Sequence, residues 1–165
     1  MEYFPVKITL NYKSCYLIWC SDSVDKVLSI NGKTPKFDGF ENLLKFSSLN
    51  EIELTNEVAH YNLDKIKLWC NSPTTQIEAK SFLNAWNLFG DLAAAYPESR
   101  LKYESLTQKC IRQYNKLFYG SNLPCIKTTS RKFCPEWSPR ELVNIRTVFL
   151  YGFEICRSKL RNNYV

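Results

Sequence analysis

The stretch FLNAWNLFGDLA, residues 82–93, decides how the rest of the chain is interpreted. Phe82, Trp86 and Phe89 recur at the period of an α-helix and predict a long helix over about residues 76–95. Aromatic residues make up 15% of the chain, which is enough to fill a core and to leave some aromatics for the surface.

Upstream of this helix, the pattern is that of strands. Phe4, Val6 and Ile8 alternate with polar residues, as in a half-buried strand. Asn31-Gly32 is a strong signal for a two-residue hairpin turn. The predicted elements are strands over residues 3–12, 15–20, 27–30, 33–37 and 51–55, and short helices that follow the caps Asp38 and Asn62.

Downstream, the pattern predicts two further long helices. Tyr96-Pro97 ends the helix over residues 76–95, and a helix over about residues 99–119 follows, with Gly120 placed as a left-handed cap. After a loop over residues 121–137, Ser138-Pro139-Arg140-Glu141 reads as a capping box with proline at the first helical position. The last helix is predicted to end near Arg161.

These elements predict an α+β protein: a small N-terminal antiparallel sheet with short helices, followed by a C-terminal bundle of three to four helices. With 45% hydrophobic and 23% charged residues, the composition is that of a globular chain. We expect a single domain over residues 1–165, with a strand-rich part over 1–61 and a helical part over 62–165.

No run of about 18 apolar residues is present, so no membrane span is predicted. The start Met1–Pro5 lacks a basic stretch followed by an apolar one, so we expect no secretory signal and a cytoplasmic location. The seven cysteines are odd in number and form no C-x-x-C pair, which indicates free thiols rather than a metal site.

No motif predicts catalysis, and we assign no catalytic, cofactor-binding or metal-binding residue. The five glycines are isolated, so no glycine-rich phosphate loop exists. An enzyme that uses His60, the only histidine, with one of the cysteines remains an alternative.

Charge divides the chain into two halves. Residues 1–99 carry nine basic and twelve acidic groups, whereas residues 100–165 carry thirteen basic and four acidic groups. The basic helical half makes a nucleic-acid-binding protein the second hypothesis, although no helix-turn-helix, RNP-like or KH-type pattern occurs. If the protein does not bind nucleic acid, these charged residues line the solvent-facing sides of amphipathic helices.

Two groups of residues are candidates for binding a protein partner. The first is the acidic group Glu51, Glu53 and Glu57, which could bind a basic partner. Alternatively, these three residues form an ordinary charged sheet edge without a partner. The second lies on the last helix, where Tyr151 occupies a polar arc with Arg140 and Arg146 nearby. The alternative for Tyr151 is that it packs beneath the loop over residues 121–137.

The helix over residues 76–95 is otherwise apolar but carries a narrow polar stripe, Asn84, Asn87 and Asp91. This stripe either bonds a partner, or it faces water or bonds neighbouring loop backbone. The run over residues 82–93, after a strand-rich start, resembles helices of small bacterial immunity proteins. These belong to contact-dependent growth inhibition and related polymorphic toxin systems, and the resemblance covers residues 62–96. It implies a non-enzymatic protein that binds the C-terminal toxin domain of a cognate effector 1:1, often a nuclease, and blocks it.

Overall fold

The computed structural model describes residues 1–124 and 132–160. The chain is α+β, as predicted, with a sheet followed by a helical bundle. The elements of the described residues are the strands β1 (Glu2–Leu10), β2 (Lys13–Ser21), β3 (Lys26–Val27) and β4 (Ala59–Asn62), and the helices α1 (Phe40–Leu49), α2 (Asp64–Asn71), α3 (Ala79–Ala94), α4 (Pro97–Lys109), α5 (Ile111–Gly120) and α6 (Pro139–Lys159).

The strands form one sheet in the order β3-β2-β1-β4. β1 and β2 make an antiparallel hairpin whose two turn residues, Asn11 and Tyr12, both have positive φ (55° and 59°). This geometry matches the twist of the flanking strands. β4 runs parallel to β1, with Val6 opposite Ala59. The predicted antiparallel pairing holds for β1–β2 and β2–β3, but the sheet is mixed, because the long connection through α1 allows the crossover that the parallel β1–β4 pair needs.

A carboxylate at the start of α2 holds the β1–β2 turn. Buried Asp64 accepts hydrogen bonds from the backbone N–H of Asn11 (2.6 Å) and of Tyr12 (3.0 Å). The backbone N–H of Asp64 donates to Oδ1 of Asn62 (3.0 Å). Asn62, the predicted cap, therefore stabilises the start of α2, although the N-cap position itself is occupied by Leu63. α2 is thereby tied to the hairpin.

The sheet lies between two layers. On one face, Val6 and Leu17 pack into the main core with the helices that follow β4. On the other face, Ile18, Phe37 and Leu43 form a smaller cluster beneath α1. Alternate residues of β2 thus serve different cores, as the period of a strand requires.

α3 is the centre of the helical layer and contacts α2, α4, α5 and α6 as well as β3 and β4. Its Phe82, Trp86 and Phe89 meet Phe149 of α6 edge to face, with ring centroids 5.4, 6.0 and 6.1 Å apart. Gly152 lies one turn further along α6, where a Cβ atom would stand 2.2 Å from the ring of Phe89. The two helices therefore approach this closely only because residue 152 has no side chain.

The strand predicted over residues 51–55 is wrong. Glu51 has φ 55° in the turn after α1, and Leu54 pairs with Tyr3 through a single parallel bridge. The fourth strand is instead β4, whose short polar sequence AHYN gave no clear alternation.

The single helix predicted over residues 99–119 is two helices. The backbone leaves helical geometry at Cys110 (φ −108°, ψ 18°), where α4 ends and α5 begins. Gly120 is the last residue of α5 and not a left-handed cap. A Cβ atom there would lie 2.9 Å from Pro135 and 3.1 Å from Ala79, so close packing accounts for this glycine.

Two predicted helix starts are wrong. α1 has Gly39 at its N-cap, without a side-chain hydrogen bond, instead of Asp38. α3 begins three residues later than predicted, because the carboxylate of Glu78 accepts hydrogen bonds from the N–H groups of Lys80 and Ser81 and caps it there.

Two motif predictions are confirmed. Asn31 and Gly32 form the tight turn, both with positive φ. Ser138 and Glu141 form the capping box of α6, in which each side chain accepts a hydrogen bond from the other residue's backbone N–H. Arg161, the predicted end of this helix, lies outside the described residues.

The contact between Gly152 and Phe89 predicts an unusual response to alanine. Gly152→Ala is expected to lower the free energy of unfolding by about 3 kcal/mol through overpacking, despite the better helix propensity of alanine. Gly90→Ala on α3 is the control, since its Cβ atom would lie 3.4 Å from Tyr103, an ordinary contact. Urea denaturation measures both variants. Equal stability of the two would contradict the close approach of α3 and α6.

Candidate functional site

Two clefts lie on the surface and share no lining residue. The first, which we call the aromatic cleft, extends from Trp19 and Asp25, near the end of β2, to Tyr61 of β4 and has a volume of about 590 Å³. The second, the basic cleft, lies near the β1–β2 turn and has a volume of about 1170 Å³. The aromatic cleft is lined chiefly by Trp19, Tyr61, Trp86, Asp91, Tyr103 and Tyr114.

The walls of the aromatic cleft are fixed by packing and by one buried hydrogen bond. The rings of Trp86 and Tyr114 meet edge to face at 5.8 Å between centroids. The hydroxyl of Tyr103 donates to the backbone oxygen of Trp86 at 2.7 Å. Burial raises the pKa of Tyr103 well above its usual value, so this hydroxyl remains a donor. The walls are therefore rigid before any ligand arrives.

Asp91 of α3 is the carboxylate of this cleft. Its Oδ2 accepts a hydrogen bond from the indole Nε1–H of Trp19 at 3.1 Å, across 72 residues of sequence. Burial raises the pKa of Asp91 to about 6; the bond from Trp19 lowers it and the charge of Asp25 raises it further. At neutral pH the side chain is ionised but poorly solvated.

The cleft holds a second carboxylate and no positive charge. Asp25, in the loop before β3, also lines it, and its Oδ1 accepts a hydrogen bond from the hydroxyl of Ser21 at 2.9 Å. Within the described part of the chain, no lysine, arginine or histidine lines this cleft. The site is therefore an aromatic surface that carries negative charge.

The predicted polar stripe on α3 is divided between two places. Asn87 and Asp91 line the aromatic cleft, whereas Asn84 lines a smaller one beside His60. The expectation that the stripe faces water or loop backbone fails for Asp91, which binds the indole of a strand. Asp91 is the only charged residue of α3 after Lys80, and this was the sequence signal for the site.

The predicted acidic group is exposed. Glu51, Glu53 and Glu57 all lie on the surface, in the segment that connects α1 to β4. No ion pair among the described residues involves them. Because Leu54 pairs with Tyr3, Glu53 lies at the same end of the sheet as the aromatic cleft.

Tyr151 packs against α4 rather than standing alone on a polar face. The ring of Tyr151 stacks on that of Tyr103 at 6.3 Å between centroids. Nζ of Lys102 lies 4.2 Å from the centroid of the Tyr151 ring. The alternative prediction was that Tyr151 packs beneath the loop over residues 121–137, of which the structure describes residues 121–124 and 132–137. The ring and cation contacts of Tyr151 are with α4 instead.

The two arginines predicted to flank Tyr151 have different surroundings. Arg140 is exposed in the first turn of α6. Arg146 donates from Nε to the backbone oxygen of Cys70 at 2.6 Å and so joins α6 to the end of α2. The structure does not bring Arg140, Arg146 and Tyr151 together with the acidic group.

The thiols and the histidine lie apart. Burial raises the pKa of Cys20 and of Cys70 to about 11 and that of Cys156 to about 12, which disfavours the nucleophilic thiolate. No cysteine lines the small cleft beside His60. In residues 1–124 and 132–160, no group of three metal-ligating side chains is present. Cys125 lies outside these residues.

The basic cleft has the opposite charge to the aromatic cleft. Four of its side chains are cationic and two are acidic, and none of the six forms an ion pair with another described residue. The cations come from the hairpin, the loop before α1, α2 and α6. They are Lys13, Lys36, Lys67 and Arg157, and the acids are Asp38 and Glu154.

No protein family, characterised protein or solved structure matches this chain. In the part of the chain that the structure describes, no helix is long and apolar enough to cross a membrane. The clefts and the charges around them are therefore the structural basis for proposing a function.

The raised pKa of Asp91 predicts how stability depends on pH. Because its pKa is higher in the folded chain than in the unfolded one, the contribution of Asp91 to stability is present at low pH and is lost as the pH rises through about 6. Compared with Asp91→Asn, the wild type should lose about 2 kcal/mol of unfolding free energy between pH 4 and pH 7. Chemical denaturation measures the unfolding free energy of both proteins at each pH. The same pH dependence in the wild type and in Asp91→Asn would contradict this prediction.

The packing of Tyr151 predicts a structural role. Tyr151→Ala should lower the free energy of unfolding by about 2 kcal/mol, because it removes the ring contacts with Tyr103 and Lys102. Tyr151→Phe keeps the ring and should stay close to the wild type in thermal unfolding. An unchanged melting temperature for Tyr151→Ala would instead favour Tyr151 as an interface anchor.

Proposed function

We propose that this protein is a non-enzymatic immunity protein that binds and neutralises a cognate toxin domain 1:1 in the bacterial cytoplasm. The toxin would be delivered by contact-dependent growth inhibition and would act as a nuclease. Two features support the proposal: the resemblance of residues 62–96 to helices of such proteins, and the acidic, aromatic end of the sheet.

The observation that carries the proposal is the position of the carboxylates. One row of paired residues crosses the sheet and is about 14 Å long, at about 4.8 Å per strand. It consists of Leu54, Tyr3, Cys20 and Lys26. Glu53 and Asp25 adjoin the two ends of this row. With the aromatic cleft alongside, these acids fit within one interface of standard size, about 800 Å² on each partner.

Such a surface suits a basic partner. A nuclease must attract the phosphate backbone and therefore carries positive charge near its active site. An acidic inhibitor is drawn to the same region, which raises the association rate and covers the site. Aromatic side chains supply the contact area that makes binding tight. Protection from a toxin requires a dissociation constant of about 1 nM or lower, about −12 kcal/mol.

Among the candidate residues, the acidic group fits this role better than the group on α6. Arg146 is engaged with Cys70, and Tyr151 is engaged with α4. Their side chains are therefore used within the fold, and Arg140 alone of this group remains exposed without such a contact in the described residues.

The basic cleft favours a second candidate, a nucleic-acid-binding protein. Its four cations converge from separate elements, which is the arrangement that contacts several phosphates at once. The two candidates use different clefts, which share no lining residue. Retention on heparin that falls steeply with salt would support this second function, and elution at low salt would exclude it.

The proposal predicts co-purification with the toxin domain encoded beside this gene. The triple variant Glu51→Lys, Glu53→Lys and Glu57→Lys should slow association about tenfold at low salt and flatten its salt dependence. Its unfolding free energy should change by less than about 1 kcal/mol, since exposed charges contribute little to stability. Stopped-flow or surface-binding kinetics measure the rate.

The control is a triple variant with the same change in net charge on the helical layer, Glu98→Lys, Glu136→Lys and Glu154→Lys. It should leave the association rate within about twofold of the wild type if local rather than total charge steers the partner. Equal slowing by both triple variants would move the interface away from residues 51–57. Failure of the folded wild type to bind the toxin domain would overturn the proposed function.

A further inference from the structure

We propose that the aromatic cleft is a socket for one guanidinium or ammonium group, provided by an arginine or lysine side chain of the protein partner. The inference deepens the proposed function and depends on it for the identity of that partner. The chemistry of the socket itself depends only on Trp19, Asp25, Asp91 and the surrounding tyrosines.

The first argument is size and shape. A cavity of about 590 Å³ is within the range that binds small organic ligands and exceeds what a single side chain needs. Trp86 and Tyr103 are held by packing and by the bond between them, so little ordering is required when a ligand enters.

The second argument comes from the aromatic rings. Elsewhere in the chain, lysine ammonium groups lie over four rings, those of Tyr16, Tyr96, Trp137 and Tyr151, at 4.2 to 5.8 Å from the centroids. None of these four rings lines the aromatic cleft. No cation of the described chain covers the cleft's own rings, and their faces attract positive charge.

The third argument is the carboxylate. Asp91 is mostly buried, and among the described residues it has one hydrogen-bond donor, the indole of Trp19, and no cation. An asparagine would accept the same hydrogen bond without the cost of burying a charge. A cation that enters the cleft offsets that cost, because attraction between charges is stronger where water is excluded.

Binding should depend on pH, and the groups around Asp91 define how. Trp19 and Asp25 face it from the β2–β3 side, Tyr61 from β4, Tyr103 from α4 and Tyr114 from α5. Burial raises the pKa of Tyr61 and of Tyr103, so these two hydroxyls stay neutral. Protonation of Asp91 below about pH 6 removes one of the two negative charges, and cation affinity should fall.

The test follows the indole N–H resonance of Trp19, assigned with Trp19→Phe, in the isolated full-length protein. The protein is titrated with N-acetyl-arginine methylamide and with the citrulline analogue, which has the same shape and no charge. We expect saturable shifts, with the arginine compound binding at least fivefold more tightly at pH 7.5. This preference should disappear in Asp91→Asn and shrink severalfold at pH 5.

Asp22→Asn is the matched control, because it removes one exposed carboxylate near the same end of the sheet without lining the cleft. It should retain the preference for arginine. Equal affinity for arginine and citrulline compounds, or loss of the preference in Asp22→Asn as well, would overturn the socket. Tighter binding of choline than of the arginine compound would make a free small cation the occupant and would contradict the proposal.

A second measurement separates this inference from the proposed function. If the wild type binds the toxin domain, Asp91→Asn should weaken that binding at least tenfold, and Asp22→Asn should weaken it less than threefold. Unchanged toxin binding by Asp91→Asn would show that the toxin does not fill the socket, while the proposed function would stand. Arginine binding without toxin binding would overturn the proposed function and the identity of the partner, but not the socket.

Discussion

The packing of Phe89 against Gly152 is the constraint on which the rest of the helical layer depends. It brings α3 and α6 together closely enough for Phe149 to meet three aromatic rings of α3. With α6 in that position, α3 also contacts α4, α5 and the sheet. The aromatic cleft depends on the same helix, because Asp91 and Trp86 lie on the side of α3 that faces Trp19 and Tyr103. A change that separates α3 from α6 would therefore distort the fold and the candidate site together.

Folding redistributes the charge that the sequence divides between two halves. Residues 1–99 are acidic overall, yet Lys13, Lys36 and Lys67 from this half join Arg157 to form the basic cleft. Asp25 and Asp91 of the same half line the aromatic cleft, whereas Asp38 lines the basic cleft and Asp64 holds the β1–β2 turn. The relevant division is thus between the two clefts, and a basic chain presents a local acidic surface. This arrangement is compatible both with a net charge of +6 and with the basic partner that we propose.

Strong local signals could be interpreted from the sequence, whereas long-range contacts could not. The Asn31-Gly32 turn, the α6 capping box and the core face of α3 follow from turn chemistry and periodicity. The break at Cys110 and the position of β4 depend on tertiary packing, which overrides weak local preference. Of the candidate site, the stripe on α3 indicated Asp91. The hydrogen bond from Trp19 could not be predicted, because 72 residues separate it from Asp91. A tryptophan in a strand is also expected to be an ordinary core residue. The stacking of Tyr151 on Tyr103 was not visible from the sequence, because a helical wheel shows one helix and not the α4 side chains beside it.

Hydrogen exchange of the chain alone and in complex with the toxin domain tests most directly whether the acidic, aromatic end of the sheet is the binding surface. If it is, amides of residues 19–25, 53–57 and 107–111 should gain protection in the complex, while those around Arg157 and Lys13 in the basic cleft stay unchanged. Protection confined to the basic cleft would contradict this account.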